Sequence, residues 1–238
     1  MANGLSDQPA SVLRRTIARK SSILRRVMLI GCVAIALSYA LQAPSAQRPL
    51  AGEKVSRYVF YLPGRIVEPG NTRPVSPKWG TYEYEQILGR LRKSGFNVVS
   101  EPRPHDSDVE RYASSVADEV RTLLIGGVPA GHITVVGASQ GSWIAMLVST
   151  YLKNRDVNFV FIAACSADPG FLKLVDLHGN ILSIYEKTDV AHSCTEFRND
   201  GTGIKAWKEI EVNTGLQHGF LFRPLKEWIE PTIQWAKK

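Results

Sequence analysis

Short strand-length runs, most with an apolar centre, alternate along the chain with stretches whose apolar residues recur every three or four positions. The runs are RYVFYLPG (57–64), FNVVSEPRP (96–104), HITVVGA (132–138), VNFVFIAAC (157–165), NILSIYEKTD (180–189) and AWKEIEVN (206–213). Each has strand length and is bounded by Gly, Pro or polar residues. Between them, GTYEYEQILGRLRKSG (80–95) places Ile87, Leu88 and Leu91 at helical spacing and stops at Gly95. SDVERYASSVADEVRTLLIGG (107–127) predicts a longer helix, capped by Ser107 with Glu110 three residues on and closed by two glycines. SWIAMLVSTYL (142–152) and RPLKEWIEPTIQWAKK (223–238) complete the helices, the last containing Pro231. The segment ADPGFLKLVDLHG (167–179) reads as a short helix or loop.

The central runs Val135-Val136 and Phe159-Val160-Phe161-Ile162 are apolar at every position rather than at alternate ones. Such strands are buried on both faces, so the pattern predicts an α/β protein: a mainly parallel six-stranded sheet flanked by helices. Ligands of such sheets bind at the carboxyl ends of the strands. Those ends carry Pro63-Gly64, Ser139, Cys165, Asp189 and the segment near His218.

The N-terminal part has a different pattern. From Val27 to Gln47 there is no charged residue, and residues 27–43 are almost wholly apolar. A basic leader precedes this run and small and polar residues with a proline follow it. That is the layout of a signal peptide, and it is also long enough for an uncleaved membrane anchor. Leu29-Ile30-Gly31-Cys32 has the shape of a lipobox, but the apolar run continues past Cys32, where a lipidated cysteine should close it. Three parts are therefore expected: 1–46 as leader plus signal or anchor, 47–56 as linker, and 57–238 as the folded domain. The domain would be exported, either released or held by residues 27–43. Membrane contact would then come only through the N-terminal segment.

Charge reinforces this division. The chain carries +7, from 29 Lys and Arg against 22 Asp and Glu. Six basic residues (Arg14, Arg15, Arg19, Lys20, Arg25, Arg26) and one acid (Asp7) lie before Gln47, which leaves 23 basic and 21 acidic residues, or +2, for the remainder. A nearly neutral domain gives no electrostatic reason to bind nucleic acid.

One motif bears on chemistry. Gly137-Ala138-Ser139-Gln140-Gly141 lies between the third strand and its helix. G-x-S-x-G alone would occur in about one chain in ten of this length. The strand-turn-helix setting makes it a candidate nucleophile elbow rather than a mere tight corner, with glycines letting strand and helix pack closely around Ser139. A serine hydroxyl needs a base. Of the five histidines, His132 opens the elbow strand and His178 precedes the fifth, so both belong at the opposite end. His105 sits in a proline-rich loop before the elbow. His218 lies between the last strand and last helix and is the preferred base, with His192 the alternative. The acid that fixes the base comes from ILSIYEKTD: Asp189 lies in the loop beyond the strand, with Glu186 at the strand end as the alternative.

The order Ser139, Asp189, His218 and the strand–helix alternation resemble the α/β-hydrolase superfamily from about Arg57 to the C-terminus. The stretches PVSP, YEY, VVGAS.G, ILSIYE and TGLQHGF are similar to those of a group of small bacterial exported α/β-hydrolases. The resemblance implies acyl transfer on an ester, thioester or amide of a small-molecule or acyl substrate. Ser139 would attack, His218 would shuttle the proton and Asp189 would orient it, with no metal or organic cofactor. The oxyanion hole would use the Gln140 N–H and a second donor from YLPGR. Pro63, where many relatives carry His, has no N–H, so that donor is Gly64 or Arg65. If the fourth and fifth strands are neighbours, as the resemblance implies, Cys165 and Cys194 would form a disulfide pinning the acid loop. The long loop 65–80 would reach the pocket through Arg65, Arg73 or Trp79, and only about 15 residues separate Cys165 from Ile181, too few for a separate cap domain. The contrasting reading is a non-catalytic binding protein of the same fold at the cell envelope.

Overall fold

In a computed structural model, residues 56–165, 173–198 and 203–238 are described. The apolar segment at 27–43 and most of the 47–56 linker lie outside them. Among the described residues no helix is long and apolar enough to cross a membrane.

The six runs form one sheet: β1 (Tyr58–Leu62), β4 (Asn97–Val99), β5 (Ile133–Ala138), β6 (Asn158–Ile162), β7 (Gly179–Glu186) and β8 (Ile204–Val212). Their order is β4-β1-β5-β6-β7-β8, and every neighbouring pair is parallel. The helices are α1 (Tyr84–Lys93), α2 (Val109–Ile125), α3 (Gln140–Leu152) and α4 (Lys226–Ala236).

Why the central strands are apolar throughout follows from the two cores. Val59, Tyr61, Val136, Val160 and Leu182 face one layer, where Ile87, Leu88 and Leu91 of α1 and Trp228 and Ile229 of α4 are buried. Phe60, Leu62, Val135, Phe159 and Ile181 face the other, with Ala113, Val116 and Val120 of α2 and Ile144, Leu147 and Val148 of α3. Alternate residues enter opposite cores, so both parities must be apolar. Each fully buried Ile, Leu or Phe side chain contributes about 1.5–3 kcal/mol.

Two local expectations shift. The cap of α2 is Asp108, not Ser107. The Asp108 carboxylate accepts from the Glu110 and Arg111 N–H groups at 3.0 Å, while the Ser107 hydroxyl donates to the Pro104 carbonyl. A carboxylate oxygen can take both free N–H groups of the first turn, and its charge suits the helix dipole. The loop 65–80 is also not purely irregular: β2 (Val75–Ser76) and β3 (Gly80–Thr81) pair in an antiparallel ribbon.

The chain winds from β1 outward to β4, then crosses back over β1 to β5 and proceeds the other way. The reversal lies between β1 and β5. The loops leaving the carboxyl ends of these two strands must diverge to opposite faces, which opens a crevice between them. Pro63-Gly64 and Ser139 stand at that crevice. No separate cap domain is present among the described residues.

Candidate active site

Ser139 joins β5 to α3 with φ 55° and ψ −123°. This strained conformation is possible because both flanking glycines are sterically required. A Cβ on Gly137 would strike the Gly141 carbonyl and Ser142 Cα, and one on Gly141 would strike the Leu62 carbonyl and lie 2.8 Å from the Pro63 oxygen. The elbow is tied to β6: the Ser139 N–H donates to the Ile162 carbonyl at 2.9 Å, and the buried Ser142 hydroxyl accepts from the Ile162 N–H at 2.9 Å. Two other non-glycine residues with positive φ adjoin the site, Ala163 (50°) after β6 and Gln217 (51°) before His218. Conformations of this kind cost about 1–3 kcal/mol each and persist only where the surroundings over-determine them.

A chain of hydrogen bonds runs through the site. The Ser139 Oγ lies 2.9 Å from His218 Nε2, and His218 Nδ1 lies 2.7 Å from Asp189 Oδ2. The Asp189 side chain is 1% exposed and that of His218 21%. Asp189 Oδ1 also accepts from the Val190 N–H at 2.7 Å. With its carboxylate bound to Nδ1, His218 is held in the tautomer whose Nε2 is free to accept from the serine. Trp79 packs on the His218 ring at a centroid distance of 5.7 Å and would collide with any Cβ at position 219, so Gly219 gives the indole its seat.

The alternatives sit elsewhere. His192 is exposed, and both its backbone N–H and its Nδ1 are within 2.9 Å of the Cys165 carbonyl. Glu186 is fully buried, but its carboxylate serves the backbone. One oxygen accepts from the Thr188 N–H and hydroxyl, both at 2.6 Å, and the other from the Thr214 and Gly215 N–H groups, both at 3.0 Å. Desolvation pushes its pKa up, but these donors outweigh it and hold the carboxyl below its usual range. Glu186 thus staples the loop carrying Asp189 to the loop leading to His218.

Cys165 and Cys194 form a disulfide that joins the segment after β6 to the same acid loop. Of the loop residues expected at the pocket, Arg65 lines the cleft. Arg73 instead forms a two-pronged ion pair with Glu83 at 2.8 and 3.1 Å, and Trp79 stands behind His218.

The hole beside Ser139 has two walls. Gln140 is the first residue of α3, where backbone N–H groups have no intrahelical acceptor. On the other wall, the Gly64 backbone amide lies near the buried Tyr82 hydroxyl and tends to lower its pKa, and the Gly64 carbonyl accepts from the Val67 N–H at 3.2 Å. In a trans peptide, C=O and N–H point oppositely. The Arg65 N–H therefore faces away from the Val67 turn. Burial pushes the Tyr82 phenol up to about 12, so it stays neutral.

One residue of this site carried no recognisable signal in the sequence. Arg103, between two prolines, is 3% exposed. It donates to the Pro63 carbonyl at 2.7 Å and to the Gln140 side-chain oxygen at 2.9 Å.

The cleft over Ser139 measures about 300 Å³, with walls of Trp143, Ala163, Ala164, Val190 and Ala191. Among the described residues no group of three His, Cys, Asp or Glu side chains is placed to hold a metal ion.

No protein-family model matches the chain, and no curated protein matches it. Solved structures do. The ydeN gene product of B. subtilis is 15% identical, with a TM-score of 0.52 over 77% of this chain and 100% of that one. Esterase PE8 is 12% identical, with a TM-score of 0.51 over 77% and 93%. A variant of Arabidopsis thaliana SOBER1 is 12% identical, with a TM-score of 0.51 over 77% and 100%. With its all-parallel six-stranded sheet, two helical layers and elbow after β5, the chain has the α/β-hydrolase fold.

Proposed function

We propose that this chain is a serine hydrolase that cleaves an ester, thioester or amide through an acyl-enzyme. The observation that carries the reading is the unbroken hydrogen-bonded series Ser139–His218–Asp189, with Ser139 in an elbow conformation at the sheet's switch point. That a structural neighbour is an esterase is consistent with it.

In this mechanism His218 Nε2 takes the Ser139 proton as Oγ bonds to the substrate carbonyl carbon. The C=O electron pair moves onto oxygen. The resulting oxyanion is met by the N–H of Gln140 and that of Arg65, donors whose directions are set before substrate arrives. Asp189 stabilises the imidazolium without taking the proton. Collapse of the adduct expels the leaving group, protonated by His218, and leaves an acyl-Ser139 ester. A water deprotonated by His218 then repeats the sequence and frees the acid. The small side chains of Ala163, Ala164 and Ala191 suit a compact acyl group, and the absence of a cap among the described residues suits a leaving group that extends into solvent. An exported domain, with its site facing away from the cytoplasm, is part of the same proposal.

The test is a fluorophosphonate probe together with acyl esters of graded chain length. Wild type should label at Ser139 and hydrolyse short acyl esters, and Ser139→Ala should do neither. Absence of labelling, with Ser139→Ala indistinguishable from wild type, would leave the non-catalytic binding protein as the better reading.

A further inference from the structure

Arg103 is a buried cation that the acyl-transfer steps do not use. Removing a guanidinium from water is costly, and both of its hydrogen-bond acceptors are neutral. The Tyr112 ring, its centroid 5.9 Å from the guanidinium carbon, offers a further favourable contact, with weaker help from Tyr82 and Tyr61. Burial accordingly pushes the guanidinium pKa down. An apolar residue would fill this space at less cost, so the arginine calls for another explanation.

Its contacts supply one. Pro63 follows β1 and Gln140 opens α3, and these two elements are the opposite walls of the hole beside Ser139. The fork of one guanidinium spans them, and a planar five-donor group is the side chain suited to such a bridge. At Pro63 it holds the carbonyl of the 63–64 peptide at 2.7 Å. The next peptide has its carbonyl tied to Val67, which leaves the Arg65 N–H as its outward edge. At Gln140 the second nitrogen holds the side-chain oxygen of the residue that opens α3. Pro102 and Pro104 restrict the backbone on either side of Arg103, so the fork itself has little freedom.

We propose that Arg103 is the positioning residue of the oxyanion hole, one guanidinium that sets the separation of its two walls. The inference rests on the serine hydrolase reading. It concerns the transition state rather than the bound substrate, because the walls meet the oxygen only when it becomes an oxyanion. A misplacement near 1 Å at such a site can cost about a hundredfold in rate.

The experiment measures kcat and KM for a short acyl ester, and the affinity of a boronic acid that forms a tetrahedral adduct with serine. Arg103→Met should lower kcat about 10- to 100-fold with KM within about threefold. Boronic acid affinity should fall in step with kcat/KM. Arg103→Lys, with a point charge able to serve one wall, should recover less than about tenfold of the loss. Gln140→Ala alone should lower kcat about 3- to 10-fold. Added to Arg103→Met it should lower kcat no further, since the shared contact is already gone. If Arg103→Met does not fold, the kcat and KM of Gln140→Ala carry the test. An unchanged kcat, a loss confined to KM, or fully additive effects of the two substitutions would overturn the inference. Wild type that neither labels nor hydrolyses would remove the hydrolase reading and this inference together. An active wild type matched by Arg103→Met would remove this inference alone.

Discussion

Replacing Glu186 by Gln tests whether a buried carboxylate beside the site is a staple or the triad acid. The carboxylate accepts four hydrogen bonds, two on each oxygen. A glutamine has one oxygen. If that oxygen keeps the Thr214 and Gly215 bonds, its NH2 meets the Thr188 N–H. The Thr188 hydroxyl can turn to accept, but the N–H is left unpaired. A buried unpaired donor costs about 1–3 kcal/mol, and the surviving bonds lose their charge assistance. A destabilisation of about 2–4 kcal/mol follows. For a domain of this size that is a fall in Tm of about 5–15 °C. The effect depends on pH. The folded pKa of Glu186 lies below its unfolded value, so its contribution is fully present above the unfolded pKa and lost as pH falls through the folded one. The stability gap between wild type and Glu186→Gln, from urea unfolding, should be constant between about pH 6 and 7 and should narrow below about pH 4. Variant that remains folded should keep activity within about tenfold of wild type, because Asp189 still holds His218. Loss of a triad acid costs about 10⁴ in kcat. A folded, stable Glu186→Gln enzyme with a loss of that size would refute the assignment of Asp189. Equal unfolding midpoints from pH 4 to 8 would refute the staple.

Two further outcomes are expected. His218→Ala should lower kcat at least about a thousandfold, since the proposed general base is removed, while His192→Ala, which loses only a contact to the Cys165 carbonyl, should stay within about threefold; the reverse pattern in ester hydrolysis would reassign the base. The Cys165→Ser/Cys194→Ser double variant opens a loop with a sequence separation of 29, so its urea midpoint should reveal a loss of about 2–4 kcal/mol, and an unchanged midpoint would mean that the bridge does not constrain the unfolded chain.

The strand and helix series was legible because it follows from local rules. Burial on both faces demands apolar residues at both parities, and Phe159-Val160-Phe161-Ile162 displays that demand without any knowledge of its neighbours. The elbow was legible because G-x-S-x-G sits between a strand and a helix; Gly137 answers to backbone contacts within the turn, whereas Gly141 answers to the end of β1, a tertiary contact the spacing alone does not reveal. Ser139, Asp189 and His218 could be nominated because each follows a strand at the sheet's active edge. What each polar side chain does there was a tertiary decision. Glu186 and Asp189 stand three residues apart with the same chemistry. The strand runs on to Glu186, which buries Glu186 between two loops and leaves Asp189 to reach the imidazole. The β2–β3 ribbon is too short to leave a periodic signature. Arg103 looked like one charge in a proline-rich loop. Its acceptors lie 40 and 37 residues away in sequence, as Ser139 lies 79 from His218. Hydrophobic patterning needs only a residue's immediate neighbours in the chain, whereas a buried polar group is defined by its partners, and folding brings those partners from distant segments.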